Sequence, residues 1–126
     1  MKREARLIIE SQDGKKAIYF DVLNGAAITD YLESSNKHRK RFRLIKTVIF
    51  DGLSRHESYK YEGVDDVYAM RFDLHAGNGR IYCKQVYRNG KIIIIAAELL
   101  PSKKSEANGP VENSIINRVS TYEYNI

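Results

Sequence analysis

Apolar and polar residues alternate in ARLIIES, and less regularly in KKAIYFDVL, which predicts a first hairpin of Ala5–Ser11 and Lys15–Val22. The connection, Gln12-Asp13-Gly14, contains a pair that favours tight turns. The pattern changes period at Asn24-Gly25. Ile28, Tyr31, Leu32 and Ser35 then share one face at helical spacing, and Ser34-Ser35-Asn36 ends that short helix. A longer helix is predicted from about Lys37 to Gly52, with Phe42, Ile45, Val48, Ile49 and Leu53 on its apolar side. Gly52 suits the position just past its end. Ser54 to Asp65 is polar, with room for a short edge strand around Ser58–Tyr61.

Three strands follow, Val67–Leu74, Arg80–Tyr87 and Lys91–Leu99, joined by a loop at His75–Gly79 and a turn at Arg88–Gly90. Asn89-Gly90 between β-branched and aromatic runs is a strong hairpin signal, because such a turn needs positive φ at both central residues. Four consecutive isoleucines, Ile92 to Ile95, predict a strand buried on both faces at the middle of the sheet. A last helix starts at Pro110 after an Asn108-Gly109 cap, with Val111, Ile115, Val119 and Tyr122 as its stripe, widened by Ile116. The fold class is therefore α+β. The expected architecture is a single domain over residues 1–126 with a twisted antiparallel sheet and helices on one face. Its parts are a hairpin at 1–23, a helical hairpin at 24–53, a meander at 66–100 and a C-terminal helix at 109–122.

Composition narrows the class. A hydrophobic share of 43% argues against disorder, and 126 residues suffice for one core. Cys83 is the only cysteine, so there is no internal disulfide framework and no cysteine-based zinc site, which fits a reducing compartment. No stretch reaches the roughly 20 apolar residues of a membrane span, and the N-terminus lacks the apolar run of a signal peptide, so the expected location is cytoplasmic. His38, His56 and His75 are scattered, so no metal is expected. HAGNG lacks the lysine and helix start of a phosphate loop, and no cofactor is expected.

The charge of +5 is local, because residues 37–46, KHRKRFRLIK, hold six Lys/Arg and no acid. Arg39, Lys40, Arg43 and Lys46 take the side of the longer helix opposite its apolar residues, either as a solvated helix surface or as a polyanion-binding one. In the connector, His56, Tyr59, Lys60 and Tyr61 combine stacking faces with charge, which suits RNA, although tyrosines also serve as packing residues with a wet hydroxyl. A second set of cations, Arg71, Arg80, Lys103 and Lys104, lies on the meander and just beyond it. By strand alternation Tyr82 and Lys84 share the face of Arg80, with Ile81 and Cys83 on the other. As plain strand and loop residues, Arg71 alternates with Met70 and Phe72 like any outward position, and Lys103-Lys104 after a proline is an ordinary solvated loop.

The order of these parts resembles the RelE/HigB-like toxins, of the RelE/ParE superfamily, of bacterial type II toxin–antitoxin systems. ITDYLESS followed by a basic helix is similar to the family's N-terminal helical hairpin. VYAMRFD and GRIYC resemble its two arginine-bearing strands, with Arg71 and Arg80 in the arginine positions, and GKIIIIAA resembles the strand that follows. SKKSEANGPVENSIINRV resembles the basic C-terminal segment, matching Lys103, Lys104, Pro110 and Arg118. Three departures stand beside these matches: the N-terminal hairpin is longer than a single strand, Ala96-Ala97-Glu98 replaces a histidine after the isoleucines, and Asp73 takes a position that is basic in some members.

The resemblance implies a metal-independent mRNA endoribonuclease acting during translation, with a cognate antitoxin, mRNA and the ribosome as partners. With it, the candidates for catalysis are Arg71, Arg80, Tyr82, Lys103 and Lys104, and the basic helix and the connector supply Lys37, Arg39, Lys40, Arg43 and Lys60 as RNA-binding candidates. Further candidates for proton transfer are His75, Glu98, Tyr122 and Tyr124. Two alternatives remain: a non-nuclease toxin that binds a protein target such as gyrase, as ParE-like relatives do, and a non-toxic RNA- or antitoxin-binding module.

Overall fold

The computed structural model describes residues 2–74, 77–103 and 108–126. Its elements in chain order are β1 (Arg3–Glu10), β2 (Lys16–Asp21), α1 (Gly25–Leu32), α2 (Asn36–Phe50), β3 (Tyr59–Tyr61), β4 (Val67–Leu74), β5 (Gly77–Arg88), β6 (Lys91–Leu100), α3 (Pro110–Ser120) and β7 (Tyr124–Asn125). The strands form one sheet in the order β3-β4-β5-β6-β2-β1-β7.

That sheet is mixed, which corrects the antiparallel expectation. The hairpin β1–β2 and the meander β4–β5–β6 are antiparallel, but β2 lies parallel to β6 from Lys16↔Ile92 to Phe20↔Ala96. The isoleucine strand thus has a hydrogen-bonded neighbour on each side and is the central strand. Ile94 enters one core cluster, while Ile93 and Ile95 enter the other. The second parallel pair, β1 with β7, comes from a two-residue strand that has no periodic signal.

Helices cover both faces, a second correction. α1 and α2 place Ile28, Leu32, Ile45 and Ile49 over Ile18, Phe20, Met70, Phe72, Ile81 and Ile94. α3 places Ile115, Ile116 and Val119 over Val67, Ala69, Tyr82, Ile93, Ile95 and Ala97. The buried stripe of α3 is Glu112, Ile115, Ile116 and Val119, and Val111 is 58% exposed. A carboxylate on the inner face of the first turn rotates the helix away from the stripe that apolar spacing alone predicts.

Local chemistry accounts for the element ends. Asn89 (φ 52°) and Gly90 (φ 76°) both take the left-handed conformation in the β5–β6 turn. α1 stops at Leu32, and Ser35 caps α2, accepting a hydrogen bond from the His38 backbone N–H at 3.2 Å. Gly52 (φ 67°) closes α2, and Lys16 Nζ donates to its Ile49 carbonyl at 2.8 Å. Gly109 N donates to Glu112 Oε1 at 2.6 Å at the start of α3, where Pro110 is the first helical residue.

Strand β5 begins at Gly77, three residues before the predicted Arg80. The ladder continues through Asp73↔Asn78 and Leu74↔Gly77, so Gly77 to Gly79 are strand and not loop. Gly79 is open on the side where Tyr31 crosses it. A Cβ added there would fall 1.9 Å from Tyr31 Oη and 3.0 Å from the Pro101 carbonyl.

Two buried polar groups tie the C-terminus to the sheet. Asp21 is fully buried; its Oδ1 accepts from the Leu23 and Asn24 backbones, and its Oδ2 accepts from Arg3 Nε and Tyr124 Oη, both at 2.7 Å. Lys84 Nζ donates to the carbonyls of Ser120 at 3.1 Å and Tyr122 at 2.7 Å, and lies 3.3 Å from Asp66 Oδ1. It therefore neutralises the carbonyl end of α3. Lys84→Met is expected to lower stability by about 1–3 kcal/mol, since it leaves inward-facing carbonyls without a donor. Urea denaturation followed by circular dichroism measures this, and an unchanged midpoint would refute it.

Candidate functional site

Arg71 and Arg80 are direct cross-strand partners on β4 and β5, so the nine-residue spacing in sequence becomes side-by-side placement in space. Asp73, two residues beyond Arg71 on the same face, lies between them. Arg80 Nη1 donates to Asp73 Oδ1 at 2.7 Å, and Arg71 Nη2 lies 3.6 Å from Asp73 Oδ2. The arginines are also positioned from behind: Arg80 Nη1 donates to the Gly79 carbonyl at 2.9 Å, and Arg71 Nη1 to that of His56 at 3.1 Å. Arg80 is only 3% exposed, whereas the Asp73 side chain is 39% exposed.

Lys103 joins this pair from the segment after β6. Its backbone N–H donates to Asn78 O at 2.8 Å, and its Nζ donates to Asn108 Oδ1 at 2.8 Å. Asn108 Nδ2 in turn donates to Glu62 Oε1 at 3.2 Å. Burial lowers the pKa of Lys103, and the positive charges of Arg80 and Arg71 act in the same direction; Glu62 and Glu112 oppose them. A lysine so placed gives up its proton more readily than one in water.

Tyr82 completes the group. It is fully buried on the face it shares with Arg80, and its hydroxyl has no hydrogen-bond partner among the described residues. Burial, then the negative charges of Glu62 and Glu112, push its pKa upward against the influence of Arg80. The phenol stays protonated at neutral pH and is available as a proton donor.

Tyr31, Glu62 and Glu112 belong to the site but were not among the sequence-based candidates. Burial raises the pKa of Tyr31; Arg80 opposes that shift and Asp73 reinforces it, so the hydroxyl of α1 senses the same ion pair. Tyr31 occupied the core stripe of a short helix, and only the missing side chain at Gly79 lets its ring reach across. Glu112 closes the start of α3 on the Gly109 backbone and acts on Lys103 from there, a role that the Asn108-Gly109 cap signal did not reveal.

The remaining candidates are distributed differently. Lys37, Arg39, Lys40 and Arg43 are exposed on α2, which packs on the opposite face of the sheet. Arg39 and Arg43 line a groove of about 430 Å³ with Arg6, Phe20, Leu32 and Phe42. Lys60 is exposed on β3 opposite Ala69, hence on the side of Arg71. The basic residue of α2 that reaches the arginine pair is Arg41, whose Nε donates to the Arg71 carbonyl at 2.9 Å and whose Nη2 donates to Glu57 O.

Glu98 is engaged by Arg118 at 2.6 and 2.5 Å and by the Tyr122 hydroxyl. Tyr124 is bound to Asp21. Lys104 and His75 lie outside the described residues. No group of His, Cys, Asp and Glu suited to a metal ion occurs among the described residues. Among those residues, no helix is long and apolar enough to cross a membrane. Comparison of the chain with protein-family models, curated proteins and solved structures returned no match.

Proposed function

We propose that this chain is a RelE-like toxin of a type II toxin–antitoxin pair, acting in the cytoplasm as a metal-independent mRNA endoribonuclease during translation, with a smaller antitoxin as its partner. The observation that carries this reading is the in-register pair Arg71 and Arg80, with desolvated Lys103 and the Tyr82 hydroxyl, which has no hydrogen-bond partner among the described residues, beside it. Cleavage by an adjacent 2′-hydroxyl needs charge neutralisation at phosphorus, removal of one proton and delivery of another to the leaving 5′-oxygen. Two guanidiniums supply the first, since their forked donors match non-bridging phosphate oxygens. Lys103, with its lowered pKa, serves proton removal after losing its own proton, and Tyr82 serves delivery.

A second reading, a non-nuclease toxin directed at a protein such as gyrase, is favoured by one observation. Arg80 and Tyr82 are buried, and Asp73 already offsets one of the two arginine charges, so the site as folded offers little open cationic surface.

Induction of the wild-type chain and of Arg71→Gln in separate cultures tests both readings, with growth and total-RNA integrity as readouts. Growth arrest with cleaved mRNA for wild type alone is the expected result. Arrest with intact RNA would transfer the assignment to a protein target. No arrest from a folded wild-type chain would overturn the toxin reading.

A further inference from the structure

We infer that Asp73 is an internal substitute for the substrate phosphate, a carboxylate that holds the arginine pair closed and must swing out before an RNA phosphodiester can bind. This rests on the RNA reading of the same site. Each oxygen of Asp73 faces one arginine, Oδ1 toward Arg80 Nη1 at 2.7 Å and Oδ2 toward Arg71 Nη2 at 3.6 Å. Two non-bridging phosphate oxygens would make the same pair of approaches.

The charge count makes displacement necessary. Among the described residues, the cations Arg71, Arg80 and Lys103 are opposed by the carboxylates of Asp73, Glu62 and Glu112, so the cluster as folded has little net attraction for a polyanion, and less still once Lys103 gives up its proton. One carboxylate has to leave for a phosphate to be favoured.

Asp73 is the one free to do so. Glu112 is buried and bonded to the N-terminal backbone of α3, and Glu62 holds Asn108, which holds Lys103. Among the described residues Asp73 makes side-chain contacts only with the two arginines, and it is 39% exposed, so rotation into water costs it little solvation. Arg80, held by the Gly79 carbonyl within the sheet, stays in place to receive the incoming anion.

Binding of an uncleavable 2′-O-methyl oligoribonucleotide, measured by fluorescence polarisation, tests the inference alongside titration with inorganic phosphate followed by NMR. Asp73→Asn and Asp73→Ser are expected to bind both probes about tenfold more tightly than wild type, because one opposing charge is removed at contact distance. Adding Arg71→Gln should cancel the gain. Folded Asp73 variants that bind no better than wild type would overturn the proposal, as would failure of both variants to fold, which would make the ion pair purely structural. If phosphate affinity rises while no variant binds the oligonucleotide, the RNA reading falls and the role of Asp73 stands. If oligonucleotide binding requires Arg71 yet gains nothing from either Asp73 variant, the reverse holds.

Discussion

Replacing Asp21 by alanine is expected to destabilise the fold by about 3–5 kcal/mol, the range for breaking a buried ion pair from one side. The carboxylate is fully buried and accepts four hydrogen bonds, from Arg3, Tyr124 and the backbones of Leu23 and Asn24. Its loss would strip the turn between β2 and α1 of its acceptor. It would also free β7, which pairs with β1 through only Arg3↔Tyr124 and Glu4↔Asn125. Arg3 would retain only the Tyr122 ring, 3.9 Å from its guanidinium carbon.

Against a stability of roughly 5–15 kcal/mol for a domain of this kind, such a loss is large enough to read by urea denaturation at neutral pH. The pH dependence follows from the same contacts. Burial alone would raise the pKa of Asp21, but the hydrogen bonds from Arg3, Tyr124 and the Asn24 backbone outweigh it and hold the pKa below the ordinary carboxylate value. A group depressed in the folded state contributes its stability above its unfolded pKa, about 4, and loses it as pH falls through the folded value. Wild type should therefore lose stability below about pH 4, and Asp21→Asn should show a shallower acid limb. Equal acid limbs would mean that Asp21 is not what the fold loses in acid.

The legible part of the fold was whatever local periodicity and turn chemistry encode. Asn89-Gly90, the Ile92–Ile95 run, Gly52 and Pro110 each specify a backbone state by their own sterics, and each holds its predicted place. Which strands become neighbours is not local information. The parallel pairing of β2 with β6 joins residues more than 70 positions apart, and nothing in KAIYFD marks its partner. The placement of α3 on the second face was hidden for a related reason. Ile93 and Ile95 need a cover on the side that α1 and α2 do not reach, a requirement visible only after the sheet is assembled.

The site was legible as far as strand alternation reaches. Arg71, Arg80 and Tyr82 share a face because the ladder pairs 71 with 80, and Lys103 is brought in by its backbone bond to Asn78. Alternation could not say whether that face was open. The same rule that aligned Tyr82 and Lys84 with Arg80 placed them under α3, where Lys84 holds the end of the helix. The separation of the α2 cations from this cluster has the same origin: the basic run was visible, but the face of the sheet it would cover was not.

Tyr82→Phe separates the cost of the site from its chemistry, and the expected result has opposite signs in two measurements. The Tyr82 hydroxyl has no partner among the described residues, and a buried hydroxyl in that state is unfavourable by about 1–3 kcal/mol, so removing it should leave the fold unchanged or raise its stability by about 1 kcal/mol. RNA cleavage should fall roughly 100-fold, the ordinary contribution of one positioned proton donor. The phenol suits that proposed role because burial and the charges of Glu62 and Glu112 keep it protonated, and its strand places it on the face of Arg71 and Arg80, the residues proposed to bind phosphate. Lys103, whose proton is loosened by the same burial, can return one to the phenolate. Urea denaturation and single-turnover cleavage of a labelled RNA read the two quantities separately. A loss of stability with activity intact would make the Tyr82 hydroxyl a structural hydrogen-bonding group and shift the proposed donor role toward Tyr31, whose hydroxyl senses the same arginine and aspartate from the other side of Gly79.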